Sequence, residues 1–253
     1  MKRLILSLAV LFFISLPVVS FSKENKGGIE IPYSYKKRQE IIIQHTGFTL
    51  SYSPFYKTPY WVAWVLTKER MQGNIPRYKG NFLPDDKTPA PRVQHKDYSG
   101  SGYDRGHMAP AGDMKWNKQA MEESFYLSNV CPQNRKLNGG DWNKLEEKCR
   151  KWARKYGRVY VACGPIYSSN KPPRIGKNKV AVPQFFYKVV LIDTSPLPIG
   201  LGFIFENEEN TLPLEKYMVT INKVEEITGL DFFSALADEV EEEIENIVPP
   251  LPR

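Results

Sequence analysis

Residues 98–114 read YSGSGYDRGHMAPAGDM, with Asp104, Arg105, Gly106 and His107 at the centre. His107 is one of three histidines in 253 residues. A neutral imidazole near pH 7 accepts a proton from water. Arg105 offers a rigid fork of donors that matches phosphate oxygens. Gly106, lacking a Cβ, lets a neighbouring chain approach closely. A base beside a phosphate clamp suits phosphodiester hydrolysis. His45 and His95 lie in segments with no evident acid or metal partner, and read as structural.

Working outward, the stretch 125–131 (FYLSNVC) reads as a short strand. Asn138, Gly139, Gly140 and Asp141 then carry helix-start chemistry. From Trp142 the apolar residues fall at Leu145, Cys149, Trp152, Ala153 and Tyr156, the spacing of a helix with one buried face, and Gly157 ends it. A strand at 158–163 follows, stopped by Gly164 and Pro165. Two more strands are expected at Phe185–Ile192 and 200–205, a short helix at about 222–228, and an acidic amphipathic helix at about 236–248. Upstream, residues 41–53 suggest two short strands and 61–66 a third, whereas 76–101 reads as an extended surface excursion. No repeat is present. Strands and helices mix without βαβ alternation, which predicts an α+β fold.

The net charge of +7 is uneven. Residues 231–253 contain Asp231, Asp238, Glu239, Glu241, Glu242, Glu243 and Glu245 against the single base Arg253. The rest is therefore more basic than the total, which favours a polyanionic partner such as nucleic acid. At the N-terminus, Lys2 and Arg3 precede an apolar stretch from Leu4 to Val19, with small residues at Ser20 and Ser22. That order is a secretory signal peptide over residues 1–22, cleaved near Ser20 or Ser22, and predicts export to the periplasm or the medium. The apolar run falls short of a bilayer span, so no stable membrane anchor is expected. Residues 23–40 form a polar lead-in, and 41–253 a single domain. Of Cys131, Cys149 and Cys163, an odd count allows at most one internal bridge. Cys149–Cys163 is the candidate pair, and three buried thiols fit equally.

Residues 98–114 closely resemble the active-site signature of the DNA/RNA non-specific endonuclease family, the ββα-metal nucleases. The likeness continues through 125–134, Leu137, Asn138, Trp142, Leu145 and Glu146. It reaches upstream into 67–77 and downstream into 161–167 and 228–233. The resemblance implies a mixed ββα-metal fold, with a central antiparallel sheet and flanking helices. It implies hydrolysis of DNA and RNA with one Mg²⁺, Mn²⁺ being a substitute, to leave 5′-phosphate and 3′-hydroxyl ends. His107 matches the general base and Asn138 the single side-chain metal ligand. Glu146 matches the acid on the same helix that orders the metal's water. Arg105 matches the arginine beside the base, Arg77 and Arg150 match further arginines facing the site, and Asn129 matches a polar residue near it. Asp104 and Gly106 read as orienting or structural. Some members of the family work with an inhibitor protein, which nothing in this chain marks.

The chemistry of the residues agrees. Mg²⁺ prefers hard oxygen donors and keeps much of its water, so one amide oxygen from Asn138 suffices. Taken on spacing alone, Asn138 is also an N-cap or turn residue, and Glu146–Arg150 an i,i+4 surface ion pair. A nuclease-like binding module without catalysis is the competing reading; it should lack the base or the ligand, and both are present. A cysteine hydrolase built on Cys131 lacks an orienting third group. Zinc lacks C-x-x-C spacing. A two-metal site needs Asp85, Asp86, Asp113 or Asp141 to cluster, and nothing groups them. Phosphate contacts carry no sequence information, so little sequence preference is expected.

Overall fold

The computed structural model describes residues 28–209 and 211–253. The expected signal peptide at 1–22 lies outside the described residues. The strands are β1 (Tyr33–Ser34), β2 (Ile41–Gln44), β3 (Thr49–Ser53), β4 (Thr58–Thr67), β5 (Asp104–His107), β6 (Val130–Gln133), β7 (Arg158–Ile166), β8 (Arg174–Ile175), β9 (Val180–Ala181), β10 (Phe185–Ile192), β11 (Ile199–Glu206), β12 (Met218–Val219) and β13 (Leu230–Asp231). The α-helices are α1 (Lys118–Glu123), α2 (Arg135–Leu137), α3 (Asn143–Tyr156), α4 (Ile221–Thr228) and α5 (Asp238–Glu245).

Seven strands form one antiparallel sheet in the order β12-β11-β10-β7-β4-β3-β2. Its central strands are apolar on both faces, and period-two alternation sorts their side chains into two cores. Val62, Trp64 and Leu66 of β4 point to one face with Val161 of β7 and Phe186 and Val190 of β10. Leu145, Cys149 and Trp152 of α3 pack onto that face. Trp61 and Ala63, Tyr160 and Ala162, and Tyr187, Val189 and Leu191 point to the other, where Val224 of α4 and Ile244 of α5 cover them. The β5–β6 hairpin and α3 together make a ββα unit on the first face. This is the α+β architecture expected, with a central antiparallel sheet and flanking helices. Within the lead-in, β1 pairs with β13.

Several boundaries differ from the sequence reading. The strand expected at 125–131 begins only at Val130; Leu127–Asn129 is a 3₁₀ turn. Ser128 donates to Asp85 and Asn129 bonds the backbone of Ala109 and Ser124, side-chain bonding that competes with a ladder. Strand β7 runs through Gly164 and Pro165 to Ile166. Its pairing with β4 stops at Cys163, so the missing Pro165 N–H lies where one side of the strand is open. The chain is already helical in α2, before Asn138. A π-type turn over Asn138–Trp142, kinked at Gly140 (φ −101°, ψ −114°), joins it to α3. The acidic helix α5 is shorter than expected, and Glu241 and Glu245 turn inward beside Ile244 instead of facing water. All three cysteines are free and buried, so no Cys149–Cys163 bridge forms. No helix among the described residues is long and apolar enough to cross a membrane.

Candidate active site

The hairpin presents His107, the candidate base. Gly106 pairs with Cys131 and His107 with Val130 across β5 and β6. A Cβ on Gly106 would strike the buried side chain of Gln133, which accounts for glycine there. Cys131 is fully buried, and burial pushes its thiol well above the usual range, so it packs and does not attack. The His107 ring lies between Phe82, with centroids 5.0 Å apart, and Phe125, edge-on at 4.9 Å. Its Nε2 is buried with no hydrogen-bond partner among the described residues. Burial and then the nearby Arg77 charge push the imidazole down to about 3. His107 is therefore neutral near pH 7, the form a base requires.

Asn129 does not line the cavity. It is completely buried; its Oδ1 accepts from Ala109 N at 2.9 Å, and its Nδ2 donates to Ala109 O and Ser124 O, both at 2.9 Å. These bonds pin the chain two residues beyond His107.

Asn138 is placed by Asp104. The Asn138 Nδ2 donates to Asp104 Oδ2 at 3.1 Å, and Arg135 Nε donates to Asp104 Oδ1 at 3.2 Å. With its amide nitrogen engaged on β5, Asn138 keeps its carbonyl oxygen as the available donor atom. Its own backbone is helical (φ −56°, ψ −49°), so it is not an N-cap.

From α3, Glu146 and Arg150 project to the same cavity, and their side chains are 11% and 15% exposed, too enclosed for a surface pair. Arg150 donates to Asp113 Oδ1 at 2.8 Å and lies 4.0 Å from Glu146. Asp113 also accepts from Trp64 Nε1 at 2.9 Å. Burial pushes the Glu146 carboxyl up to about 7, against the lowering charges of Lys188, Arg150 and Arg77.

A cavity of about 440 Å³ thus gathers Arg77, Arg105, His107, Asn138, Glu146 and Arg150, with Asp104 in its wall. Arg105 is steadied by donating to the His95 carbonyl at 2.8 Å, which gives His95 a structural part. His45 has an acid partner the sequence did not reveal, its Nε2 lying 3.0 Å from Asp85 Oδ2. Asp85, Asp113 and Asp141 sit with separate partners, His45, Arg150 and Lys144, and build no two-metal cluster. The acids that do lie together among the described residues are Glu225, Asp231 and Glu245, beside the opposite core.

Sequence reasoning gave Phe82 and Phe125 no part beside His107, weighed Asp113 only as a member of a metal cluster where the fold makes it the partner of Arg150, and passed over the buried Lys188. Only Lys188 carried a local signal: it interrupts an apolar strand at a position whose neighbours i−2 and i+2, Phe186 and Val190, face the core.

Comparison with known proteins agrees with this geometry. The sequence model of a family described as DNA/RNA non-specific endonuclease matches residues 27–239. The chain is 39% identical over 208 residues to "Nuclease EXOG, mitochondrial" of Danio rerio, covering 76% of this chain and 60% of that protein. It is 38% identical over 198 residues to "Endonuclease G, mitochondrial" of Homo sapiens, covering 73% of this chain and 67% of that protein. Its fold matches the crystal structure of an EndoG/EndoGI complex, described as showing the mechanism of EndoG inhibition, with a TM-score of 0.74, 33% identity, and coverage of 79% of this chain and 88% of that one. The relatives matched in sequence are mitochondrial nucleases, which overturns the expectation of export to the periplasm or the medium. With its hairpin, its helix and 213 consecutive residues matched by the family model, the chain belongs to the DNA/RNA non-specific endonuclease family.

Proposed function

We propose that this protein is a metal-dependent endonuclease that hydrolyses phosphodiester bonds in DNA and RNA, with little preference for sequence or sugar. The observation that carries the reading is the meeting of His107, Asn138 and Glu146 in one cavity ringed by Arg77, Arg105 and Arg150. Arginine forks hold phosphate oxygens and balance the charge gained as water attacks phosphorus. His107, neutral and caged by Phe82 and Phe125, takes the proton of the attacking water at a ring nitrogen. Attack in line with the 3′ oxygen breaks the P–O3′ bond, and the departing 3′ oxygen takes a proton from water in the cavity, leaving a 5′-phosphate and a 3′-hydroxyl.

The donor set fits a hard, hydrated cation: one amide oxygen from Asn138, its nitrogen committed to Asp104, with Glu146 alongside. Mg²⁺ is the ion we assign, with Mn²⁺ as a substitute. When bound, it supplies Lewis acidity at the scissile phosphate. Glu146 orders water beside it, Asp104 orients the Asn138 ligand, and Asn129 fixes the backbone behind the base. The solved neighbour is EndoG in complex with EndoGI, a complex of EndoG inhibition, which supports a protein inhibitor among this chain's partners.

Digestion of duplex DNA, single-stranded DNA and RNA across a panel of divalent metals, with an EDTA control, tests the proposal. EDTA-sensitive internal cleavage is the expected result. Tight binding without cleavage under every metal would instead favour a catalytically inactive nucleic-acid-binding module.

A further inference from the structure

Strand β10 reads FFYKVVLI, and Lys188 is its single charged residue. Lys188 lies opposite Cys163 on β7 and Phe203 on β11, in the middle of the central sheet, and is 0% exposed. Its Nζ has no hydrogen-bond partner among the described residues. An ammonium held away from water without a partner is strongly unfavourable, and it persists in a fold only where something compensates it.

Two aromatic faces do part of this. The ammonium lies 4.0 Å from the Trp142 ring centroid and 5.8 Å from that of Trp64. Both rings reach the active site through their N–H groups. Trp142 Nε1 donates to the His107 carbonyl at 3.4 Å, and Trp64 Nε1 donates to Asp113 Oδ2 at 2.9 Å. Asp113 in turn holds Arg150. The ionisable groups around Lys188 follow from this packing. Lys188 lies on the sheet face of Phe186 and Val190, onto which Cys149 of α3 packs. Glu146 stands one helical turn after Trp142, Cys163 lies opposite on β7, and Asp113 accepts from Trp64. Facing Glu146 from the cavity side are Arg150 and Arg77. The two thiols stay neutral near pH 7, because burial pushes each up to about 12. Glu146 and Asp113 are thus the acids available to offset the buried cation.

We propose that Lys188 is a positioning residue of the active site: a buried cation beneath α3 that holds the Glu146 carboxylate towards the cavity and clamps the two tryptophans on which His107 and Asp113 hang. It touches neither substrate nor metal. The inference rests on the nuclease reading for its consequence in catalysis, and on packing alone for its effect on Glu146. Removing the charge leaves Glu146 harder to ionise, so the population competent for catalysis shrinks at neutral pH and returns at high pH.

The test is Lys188→Met, which keeps the length of the side chain and removes the charge. Glu146 is titrated in the metal-free protein by carbon-13 NMR of labelled glutamate, its signal assigned by its loss in Glu146→Gln. DNA nicking is measured from pH 5 to 9 at saturating Mg²⁺. The Glu146 titration should move up by about one unit, since one unit is tenfold in the ionised fraction. Nicking at pH 6.5 should fall roughly tenfold in kcat with KM unchanged, and recover at pH 9 to within about threefold of the parent. A folded Lys188→Met protein whose Glu146 titration is unmoved overturns the proposal. If that variant does not fold, carbon-13 labelling of lysine in the parent protein decides: the Lys188 Cε signal should follow the Glu146 titration and cease to do so in Glu146→Gln. A Lys188 signal indifferent to Glu146 overturns it equally. A parent protein that cuts no nucleic acid sinks the nuclease reading, while the metal-free titration still judges Lys188.

Discussion

The Asn138 Nδ2–H group donates to Asp104 Oδ2 at 3.1 Å, so an acid from the hairpin fixes the Asn138 amide on the segment before α3. On the proposed reading, the motif's aspartate braces the metal ligand and is not a ligand itself. Arg135, at 3.2 Å from the other Asp104 oxygen, holds the brace in turn. Hydrogen bonds of this kind orient metal ligands and set their basicity.

Asp104→Ala should therefore weaken metal binding more than catalysis. The Mg²⁺ concentration for half-maximal nicking should rise about 10- to 100-fold, with the maximal rate recovered largely at high Mg²⁺. Asn138→Ala should lose activity that no Mg²⁺ concentration restores. Equal metal curves for Asp104→Ala and the parent would mean that Asp104 is no brace.

His107→Ala should cut turnover by about 10²- to 10⁴-fold or more while circular dichroism and melting stay native, as expected for loss of a general base. Near-full activity in the folded variant would end the assignment.

The pH profile of nicking should rise through about pH 7, where Glu146 ionises, and show no limb from His107 in the neutral range, because that imidazole protonates only near 3. Glu146→Gln should erase the rising limb along with most of the activity. A limb that survives this change belongs to another group.

Folding stability should carry opposite signatures from the same two residues. The His107 pKa is depressed from 6.5 to about 3, so its contribution is present above pH 6.5 and is lost as pH falls towards 3, where the unfolded chain binds the proton first. The Glu146 pKa is raised from 4.5 to about 7, so its contribution is present below pH 4.5 and is lost as pH rises through 7. Melting temperatures of His107→Ala should therefore fall less between pH 6 and 4 than those of the parent, those values lying inside roughly the window set by the two His107 pKa values. A parallel decline in both would contradict the burial of that ring.

Arg150→Ala should destabilise the fold by about 3–5 kcal/mol, because it leaves Asp113 buried without its cation. Arg150→Ala with Asp113→Asn should recover part of that loss in urea unfolding. If the single variant is as stable as the parent, the ion pair is not what holds this corner of the site.

Much of the site is legible in the sequence because its parts are local. Asp104 to His107 lie on one short strand, and Glu146 and Arg150 stand one turn apart on α3, so spacing fixes their common face, whereas Asn138 lies across the kink at Gly140 and reaches the cavity by that bend. The strand Phe185–Ile192 and the helix beginning near 221 are legible for the same reason: alternation and capping are near-neighbour properties. The strand expected at 125–131 gives way to a turn because its fate hangs on Asp85, 43 residues from Ser128. No local pattern says that Asn129 is consumed by the backbone of Ala109, or that His45 finds Asp85.

By itself, then, the sequence pointed to the α+β class and, through its resemblance to the nuclease family, to His107, Asn138 and Glu146 as one set of candidates, which the fold gathers in one cavity. The class follows from short-range patterns of strand and helix, and the candidates from motifs compact enough to be matched along the chain. The tertiary structure alone decided that Asp104 braces Asn138, that Asp113 holds Arg150, and that Lys188 lies under two tryptophans. Those relationships join residues about 34 to 46 positions apart along the chain, or more, and depend on which elements pack together. Burial then set their energetics, because a charge removed from water acts strongly on its few neighbours, and those neighbours are chosen by packing and not by sequence order.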